Sequence, residues 1–345
     1  MKTIKCGIIG ASGYSGELLV KLLARHPGVD LVLAASRKMA GRKVADALPT
    51  VRGYTGDLNF VAPEMEVLLS PDNSVEVFFL ALPHGVSAEF AEPLLQAGKR
   101  VIDLSADFRL FSPELYEAYY GQPHPRPDLL PATPYVLPEI SSPVWKEANL
   151  IACPGCYPTS ILLPLLPLLK ESVLSGEDLI INSLSGISGA GKKLAENFLF
   201  CERSESIKAY GIPRHRHLSE IEEQLSLAVN REIVVQFSPH LAPMRRGIAT
   251  TIVSPAGEST LEALYEAWEK AYAGKPMVSV LGPAETPDTA HVVGTNRIEM
   301  AATHDPRTNR FVITSAEDNL MKGAGGQAVQ IFNLWYDFPE ETGLL

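Results

Sequence analysis

The chain reads as an α/β protein of two units, a doubly wound parallel sheet followed by an α+β domain. Three observations carry this reading. Short apolar runs alternate with segments of helical period up to residue 104, seven prolines crowd into residues 121–143, and the strands and helices beyond follow no regular alternation. Strand, helix, strand in succession sets parallel strands in one sheet, because each crossover returns the chain in the same direction. At 345 residues the chain also exceeds one ordinary core. A first domain over residues 1–152, a second over 153–319 and a C-terminal return over 320–345 that completes the first are expected.

The elements follow in order. Thr3 to Ile9 is apolar and unbroken, which suits a buried strand, and Gly10 to Gly16 forms a glycine turn. Ser15 to Arg25 has Leu18, Leu19, Leu22 and Leu23 on one helical face, and His26-Pro27-Gly28 stops it. Leu31–Ala35, Val75–Leu82 and Val101–Leu104 read as further strands, with a helix over Val86–Ala97 between the last two. The proline tract then reads as an extended crossing segment. Past it, Leu179–Leu184, Ile233–Phe237, Ile248–Val253 and Phe311–Thr314 look like strands, and Ile221–Asn230 and Glu262–Tyr272 like helices. Gln327–Tyr336 offers Val329, Phe332 and Tyr336 to pack back on the first domain.

Composition narrows the function. Hydrophobic residues at 46% and charged residues at 20% are the proportions of a folded chain, which excludes disorder. A formal charge of -10 argues against a broad grip on nucleic acid, so any anionic ligand needs local basic groups. The run Ile161–Leu169 is interrupted by Pro164 and Pro167, and no stretch reaches the roughly 18 apolar residues that span a bilayer. The start lacks the apolar core of a signal peptide, so a cytoplasmic protein without membrane or nucleic-acid partners is expected. Four cysteines at 6, 153, 156 and 201 are too few and scattered for a disulfide scaffold.

Gly10-Ala11-Ser12-Gly13-Tyr14-Ser15-Gly16 follows a strand and opens a helix, the context that turns glycines into a phosphate-binding site. Gly10 permits the turn, Gly13 lets backbone approach a pyrophosphate, and Gly16 lets the helix pack closely, while the first N–H groups of the helix face the anion. Ser12, Tyr14 and Ser15 lie in the same turn, and the seven residues together mark a Rossmann-type nucleotide-binding domain. About twenty residues on, the second strand ends at Ser36-Arg37-Lys38. An NAD site usually offers a carboxylate there to the ribose 2'-hydroxyl. A hydroxyl and two cations suit the 2'-phosphate of NADP instead.

Cys153-Pro154-Gly155-Cys156-Tyr157-Pro158-Thr159 has a C-x-x-C core. A zinc site would need Cys201 or distant histidines as further ligands, and dithiol exchange fits poorly with a motif so late in the chain. No metal is therefore expected. Pro158 suits a first helical turn, which sets Cys156 beside a helix N-terminus whose partial positive charge favours a thiolate. Cys156 is the candidate nucleophile; the plain alternative is a small buried hydrophobe. Gly211-Ile212-Pro213-Arg214-His215-Arg216-His217-Leu218-Ser219-Glu220-Ile221 is polar and rich in titratable groups. With Ser219 or a neighbour capping a helix from Glu220, one histidine at the loop tip would face the thiol, the arrangement of covalent catalysis. Two surface histidines in a basic loop are the plain alternative.

At this point the chain resembles the N-acetyl-gamma-glutamyl-phosphate reductases of arginine biosynthesis. Gly10–Gly16, Ser36-Arg37, Leu82-Pro83-His84-Gly85, Asp103-Leu104-Ser105-Ala106-Asp107-Phe108-Arg109, Pro154–Thr159 and His215-Arg216-His217 stand in that family's order, over essentially the whole chain. The resemblance implies a second, catalytic and dimerisation domain of the semialdehyde dehydrogenase type, NADPH as reductant, and assembly as a homodimer or homotetramer. It also implies Cys156 as nucleophile, His217 as acid/base and Asn319 on the nicotinamide carboxamide. Cys153 stands where asparagine is expected and Ser219 where proline is. The first departure sets a second thiol beside the nucleophile.

The implied reaction is reductive dephosphorylation of an acyl phosphate by way of a thioester. A chain at -10 must gather its anionic substrate with local arginines. Arg109, ending its motif after a strand, is expected on the acyl phosphate, and Arg245 or, preferentially, Arg246 on the substrate carboxylate. The glycine-rich stretch Ser185–Lys192 lacks nucleotide-loop spacing and reads as a substrate-side loop, so Ser185, Gly186 and His215 complete the expected substrate contacts. Rival readings are an acetylaminoadipyl or carrier-bound glutamyl phosphate reductase, a non-catalytic NADP sensor, and a cysteine hydrolase.

Overall fold

The computed structural model describes residues 3–344. Met1, Lys2 and Leu345, at the ends of the expected domain spans, lie outside it. The chain divides into two units: residues up to Pro154 together with those from Ala324 onward, and Gly155–Gly323. Cys153 and Pro154 thus belong with the first unit, and residues 320–323 with the second.

Six strands build the first unit: β1 Ile4–Ile9, β2 Val29–Ala35, β3 Phe60–Val61, β4 Val77–Leu80, β5 Arg100–Asp103 and β6 Leu150–Ala152. All pair in parallel, in the order β3-β2-β1-β4-β5-β6. Helices cover both faces of such a sheet, and β4, Val-Phe-Phe-Leu, is accordingly buried throughout. The order reverses between β1 and β4, the switch point at whose carboxyl ends ligands of this fold class bind. The Tyr14–Leu23 helix buries Leu18, Leu19 and Leu23, with Val20 in place of the expected Leu22. A helix over Pro113–Tyr120, outside the expected elements, starts where the Ser112 hydroxyl accepts the Leu115 N–H and ends at Gly121 in a left-handed conformation. The proline tract holds a 3-10 turn at Pro127–Ala132 and touches the sheet edge through a bridge from Tyr135 to Ala152. The C-terminal helix Gly326–Trp335 packs on the Tyr14–Leu23 helix with Val329 and Phe332 fully buried, while Tyr336, also expected in that packing, lies just past the helix end and is half-buried.

Seven strands build the second unit: β7 Leu179–Ser185, β8 Lys208–Ala209, β9 Val235–Leu241, β10 Ile248–Pro255, β11 Val278–Val280, β12 Ile298–Asp305 and β13 Arg310–Glu317. They form one mixed sheet in the order β11-β12-β13-β10-β7-β9-β8. Strands β7 and β10 alternate buried and half-buried residues, so one face is packed. The Cys156–Lys170 helix packs on that sheet and runs straight through Pro164 and Pro167.

Two partners from elsewhere in the sequence explain that continuity. A proline in a helix removes the N–H that would bond the carbonyl four residues back. The carbonyl freed by Pro164 is that of Ser160, and the Ser315 hydroxyl donates to it at 2.7 Å. The carbonyl freed by Pro167 is that of Leu163, and the Tyr272 hydroxyl donates to it at 2.5 Å. Both orphaned acceptors are satisfied, so the helix stays fixed from end to end.

Candidate active site

The glycine turn sits at the carboxyl end of β1, beside the switch point. Gly10 has φ +89°, and a Cβ there would lie 2.2 Å from the Ala81 carbonyl oxygen, just beyond β4; a Cβ at Gly16 would lie 2.2 Å from the Gly10 oxygen. Neither position admits a side chain. Gly13 is the N-cap of the Tyr14–Leu23 helix, and a Cβ there would meet only the Gly10 carbonyl oxygen, at an ordinary 3.7 Å, so its backbone stays approachable. Ser36 is buried at the end of β2 and donates its hydroxyl to Ser12 Oγ at 2.7 Å, tying the second strand to the turn. Tyr14, Arg37 and Lys38 are exposed there, and Ser12, Gly13 and Ser15 half-buried. A cradle closed to side chains and open to backbone fits a dinucleotide pyrophosphate.

The Asp103–Arg109 motif is mainly structural. The Asp107 carboxylate accepts the N–H groups of Gly85 at 2.6 Å and Ala88 at 3.0 Å, at the start of the Ser87–Gln96 helix, and the Tyr116 hydroxyl at 2.9 Å. A carboxylate at a helix N-terminus is favourable there. Fully buried Asp103 accepts from the Ser105 hydroxyl and N–H and from the Ser87 hydroxyl. Burial, then the neighbouring Asp107 charge, pushes its carboxyl up to about 6 against those hydrogen bonds. Arg109 is buried, and its guanidinium donates to the carbonyls of Cys153 at 2.9 Å and Leu104 at 2.7 Å. Two nitrogens of the fork expected on the acyl phosphate therefore brace carbonyls, one at Cys153 and one at Leu104.

In the second unit, Cys156 is the first residue of the Cys156–Lys170 helix, with Gly155 as N-cap and Pro158 in the first turn. This is the placement that favours a thiolate. The thiol is half-buried, and none of the four cysteines forms a disulfide. Gly155 donates its N–H to the carboxylate of Glu220 at 2.8 Å, and Glu220 is almost fully buried on the Arg216–Val229 helix. The Cys156 helix is thereby stapled to the helix that carries His217.

That second helix begins four residues earlier than expected. Its cap is His215, whose Nδ1 accepts the His217 N–H at 3.1 Å; Ser219 lies inside it and donates to the Arg216 carbonyl at 2.8 Å. His217 therefore stands in a fixed first turn and not at a loop tip. Its ring lies 5.9 Å from that of Tyr157, the residue after Cys156, and 5.1 Å from that of His215. Tyr210, which donates to the Tyr157 hydroxyl at 3.1 Å, and Phe237 close the cluster around His215. Burial pushes both phenols up, Tyr210 to about 12.

His215 must be neutral to accept through Nδ1, and burial, then the Arg216 charge, pushes it down to about 4 from 6.5. Between those values the unfolded chain binds the extra proton. This contribution to stability is complete above pH 6.5 and is lost as the pH falls through about 4. The unfolding midpoint should fall with acidification across that window, and His215→Asn, a capping residue that does not titrate there, should flatten the fall. Equal slopes in the two proteins would refute the assignment.

The remaining expected residues are more committed than the sequence suggests. Arg246 donates through Nε and an η nitrogen to fully buried Asp318, at 3.1 and 2.9 Å, so one edge of its fork is already taken. Asn319 accepts the Gly247 N–H at 2.9 Å and donates to Ser188 Oγ at 3.0 Å, which occupies the amide expected on nicotinamide. Ser185 ends β7, is buried and donates to the Gly186 carbonyl; Gly186 donates its N–H to the Gly247 carbonyl at 2.9 Å and lies flat against the Arg246 backbone. Sequence reasoning missed Glu220 and Asp318 as organisers. Their only signal is a position one helical turn from His217 and one residue before Asn319. Among the described residues, no group of three or more His, Cys, Asp or Glu side chains is placed to hold a metal ion, and no helix is long and apolar enough to cross a membrane.

Comparison with known proteins agrees with this architecture. Residues 5–148 match the model of the semialdehyde dehydrogenase NAD binding domain, and residues 156–319 that of the semialdehyde dehydrogenase dimerisation domain. Among solved structures, aspartate semialdehyde dehydrogenase II from Vibrio cholerae has a TM-score of 0.74 at 18% identity, covering 97% of this chain and 99% of that one. Aspartate semialdehyde dehydrogenase with NADP from Candida albicans has a TM-score of 0.71 at 17% identity, covering 97% and 99%. Curated relatives are far nearer in sequence. Proteins named N-acetyl-gamma-glutamyl-phosphate reductase are 47% identical in Akkermansia muciniphila, over 100% of this chain and 99% of the relative, and 45% identical in Azotobacter vinelandii, over 99% and 98%. With one cysteine and one histidine held on two stapled helices, and identity of this level from end to end, the chain belongs to the N-acetyl-gamma-glutamyl-phosphate reductase family of semialdehyde dehydrogenases.

Proposed function

We propose that this chain reduces N-acetyl-gamma-glutamyl phosphate to N-acetylglutamate 5-semialdehyde, releasing phosphate, through a thioester on Cys156. The observation that carries the mechanism is Cys156 at the first position of a helix whose cap, Gly155, is bonded to Glu220 on the His217 helix. The helix N-terminus stabilises the thiolate. The sulfur attacks the acyl carbon, the carbon–oxygen bond to phosphate breaks with its electron pair on the leaving phosphate, and the acyl group stays on Cys156. A reduced dinucleotide, when bound, would supply the hydride that takes the acyl group to the aldehyde level. His217 gives a proton to the resulting oxyanion and takes it back as the carbon–sulfur bond breaks, which returns the Cys156 thiolate and frees the aldehyde. The free edge of the Arg246 fork, held in orientation by Asp318, is the group we assign to the substrate carboxylate. The relatives' common name favours a glutamyl over an aminoadipyl chain.

The dinucleotide would be held by Gly10, Gly13 and Gly16, with Ser12, Tyr14 and Ser15 at the same helix start. Arg37 and Lys38, exposed beyond a β2 that ends without a carboxylate, support NADPH over NADH. Arg37→Ala should raise the Michaelis constant for NADPH more than that for NADH, and equal changes would sink the 2'-phosphate role. The dimerisation-domain match supports association of copies as a homodimer or homotetramer, and exposed Leu194, Leu199, Phe200 and Ile207 on the second unit are consistent with it. The mechanism itself is tested by incubating enzyme with acyl phosphate in the absence of reductant. Mass spectrometry should find the N-acetylglutamyl group on the peptide of Cys156; an unmodified peptide, while turnover proceeds normally once NADPH is added, would overturn it.

A further inference from the structure

We infer that Gly323 is a positioning residue for the thiol of Cys156: the missing side chain in a π-helical turn fixes where the sulfur sits. The inference rests on the reading of Cys156 as nucleophile. A Cβ built on Gly323 would lie 2.6 Å from the Cβ and 3.0 Å from the Cα of Cys156, and 2.8 Å from Glu317 Oε1. Real Cβ atoms essentially never come within 3.0 Å of a neighbour. Backbone conformation does not explain the glycine, because Gly323 is not among the residues with positive φ. The close approach does.

Neither wall of this contact gives way easily. Cys156 opens a helix whose cap is held by Glu220 and whose next turn is tied back by Thr159, through both its N–H and its hydroxyl, to the Gly155 carbonyl at 2.9 Å. Opposite it, Gly323 donates its N–H to the Asp318 carbonyl at 3.0 Å, the five-residue spacing of the turn Met321–Gly325. The Asp318 carboxylate fixes the start of that turn by accepting the N–H groups of Leu320 at 2.8 Å and Met321 at 3.2 Å. It is itself held by Arg246 and by the Gly294 N–H at 2.7 Å. A methyl group between two such anchored backbones displaces the Cys156 Cβ, and with it the sulfur. Attack on an acyl carbon tolerates little of this, since a misplacement of about 1 Å costs on the order of 100-fold in rate.

The test is Gly323→Ala in the full-length chain. The turnover number should fall by about 100-fold, while the Michaelis constant for NADPH changes by less than about twofold, because the glycine turn is untouched. Alkylation of Cys156 by iodoacetamide, followed on its peptide, should slow by about tenfold. A merely structural glycine would lower stability and leave the alkylation rate of the folded protein unchanged. The packing is read separately by a cycle of melting temperatures: Cys156→Gly, which removes the nearest of the opposing atoms and leaves the Glu317 oxygen, should recover part of the stability lost in Gly323→Ala. Turnover and alkylation within about threefold of the parent would overturn the inference, as would a Gly323→Ala chain that stays unfolded when Cys156→Gly is added. Full turnover in Cys156→Ser would instead defeat the nucleophile reading, which the alkylation and melting measurements do not depend on.

Discussion

Cys156→Ser is expected to abolish phosphate- and NADP-dependent oxidation of N-acetylglutamate semialdehyde, by a factor of about 1,000 or more, while dinucleotide affinity stays unchanged. The size of the effect follows from ionisation. A helix N-terminus brings a thiol within reach of its thiolate at neutral pH, but a serine hydroxyl starts far too high for the same partial charge to matter. The substitution is nearly isosteric at the first position of a helix whose orphaned carbonyls are satisfied by Ser315 and Tyr272, so the fold should not move. The glycine turn belongs to the other unit, at the carboxyl end of β1, so the substitution changes none of its residues. Isothermal calorimetry with NADP and a turnover assay on the same sample decide the matter: retained turnover removes the covalent step, and lost binding shows damage beyond the thiol.

Asp318→Ala should be the most destabilising single change in the second unit outside its apolar core, at about 3–5 kcal/mol, because it leaves a partly buried guanidinium without its counter-charge. Asp318 is fully buried, and its carboxylate is the acceptor for two Arg246 nitrogens and for the N–H groups of Gly294, Leu320 and Met321. Alanine orphans all of these at once. Asp318→Asn keeps one acceptor oxygen and should lose less. Urea unfolding of the two variants against the parent measures the difference, and a loss below about 1 kcal/mol for alanine would show that water replaces the carboxylate without penalty. Arg246 would also lose its fixed orientation, so the Michaelis constant for the acyl phosphate should rise in the same variant.

The residues carry much of this architecture openly. The parallel first unit follows from apolar runs alternating with helical faces, and the C-terminal return from the spacing of Val329 and Phe332. The glycine turn and the placement of Cys156 at a helix start are likewise local: Gly10, Gly16 and Pro158 state constraints that hold within a few residues of themselves. Strand β12, Ile298–Asp305, left no comparable trace. Its first five residues are all buried, Glu299 among them, so no alternation marks it, and only its pairing with β11 and β13 makes it a strand.

What the sequence alone determined, then, is the fold class, the nucleotide turn and the thiol at the head of its helix, because periodicity and turn chemistry act over short stretches of chain. Tertiary structure decided which groups are spent and which are left for chemistry. Pro164 and Pro167 read as helix breakers until Ser315 and Tyr272 arrive from distant strands and helices to take the freed carbonyls. His215 became the cap in place of Ser219, Arg109 a brace for carbonyls, and Arg246 the partner of Asp318. Apart from the local His215 cap, each outcome turns on a hydrogen-bond partner far along the chain, and a buried polar group must find one wherever the fold supplies it.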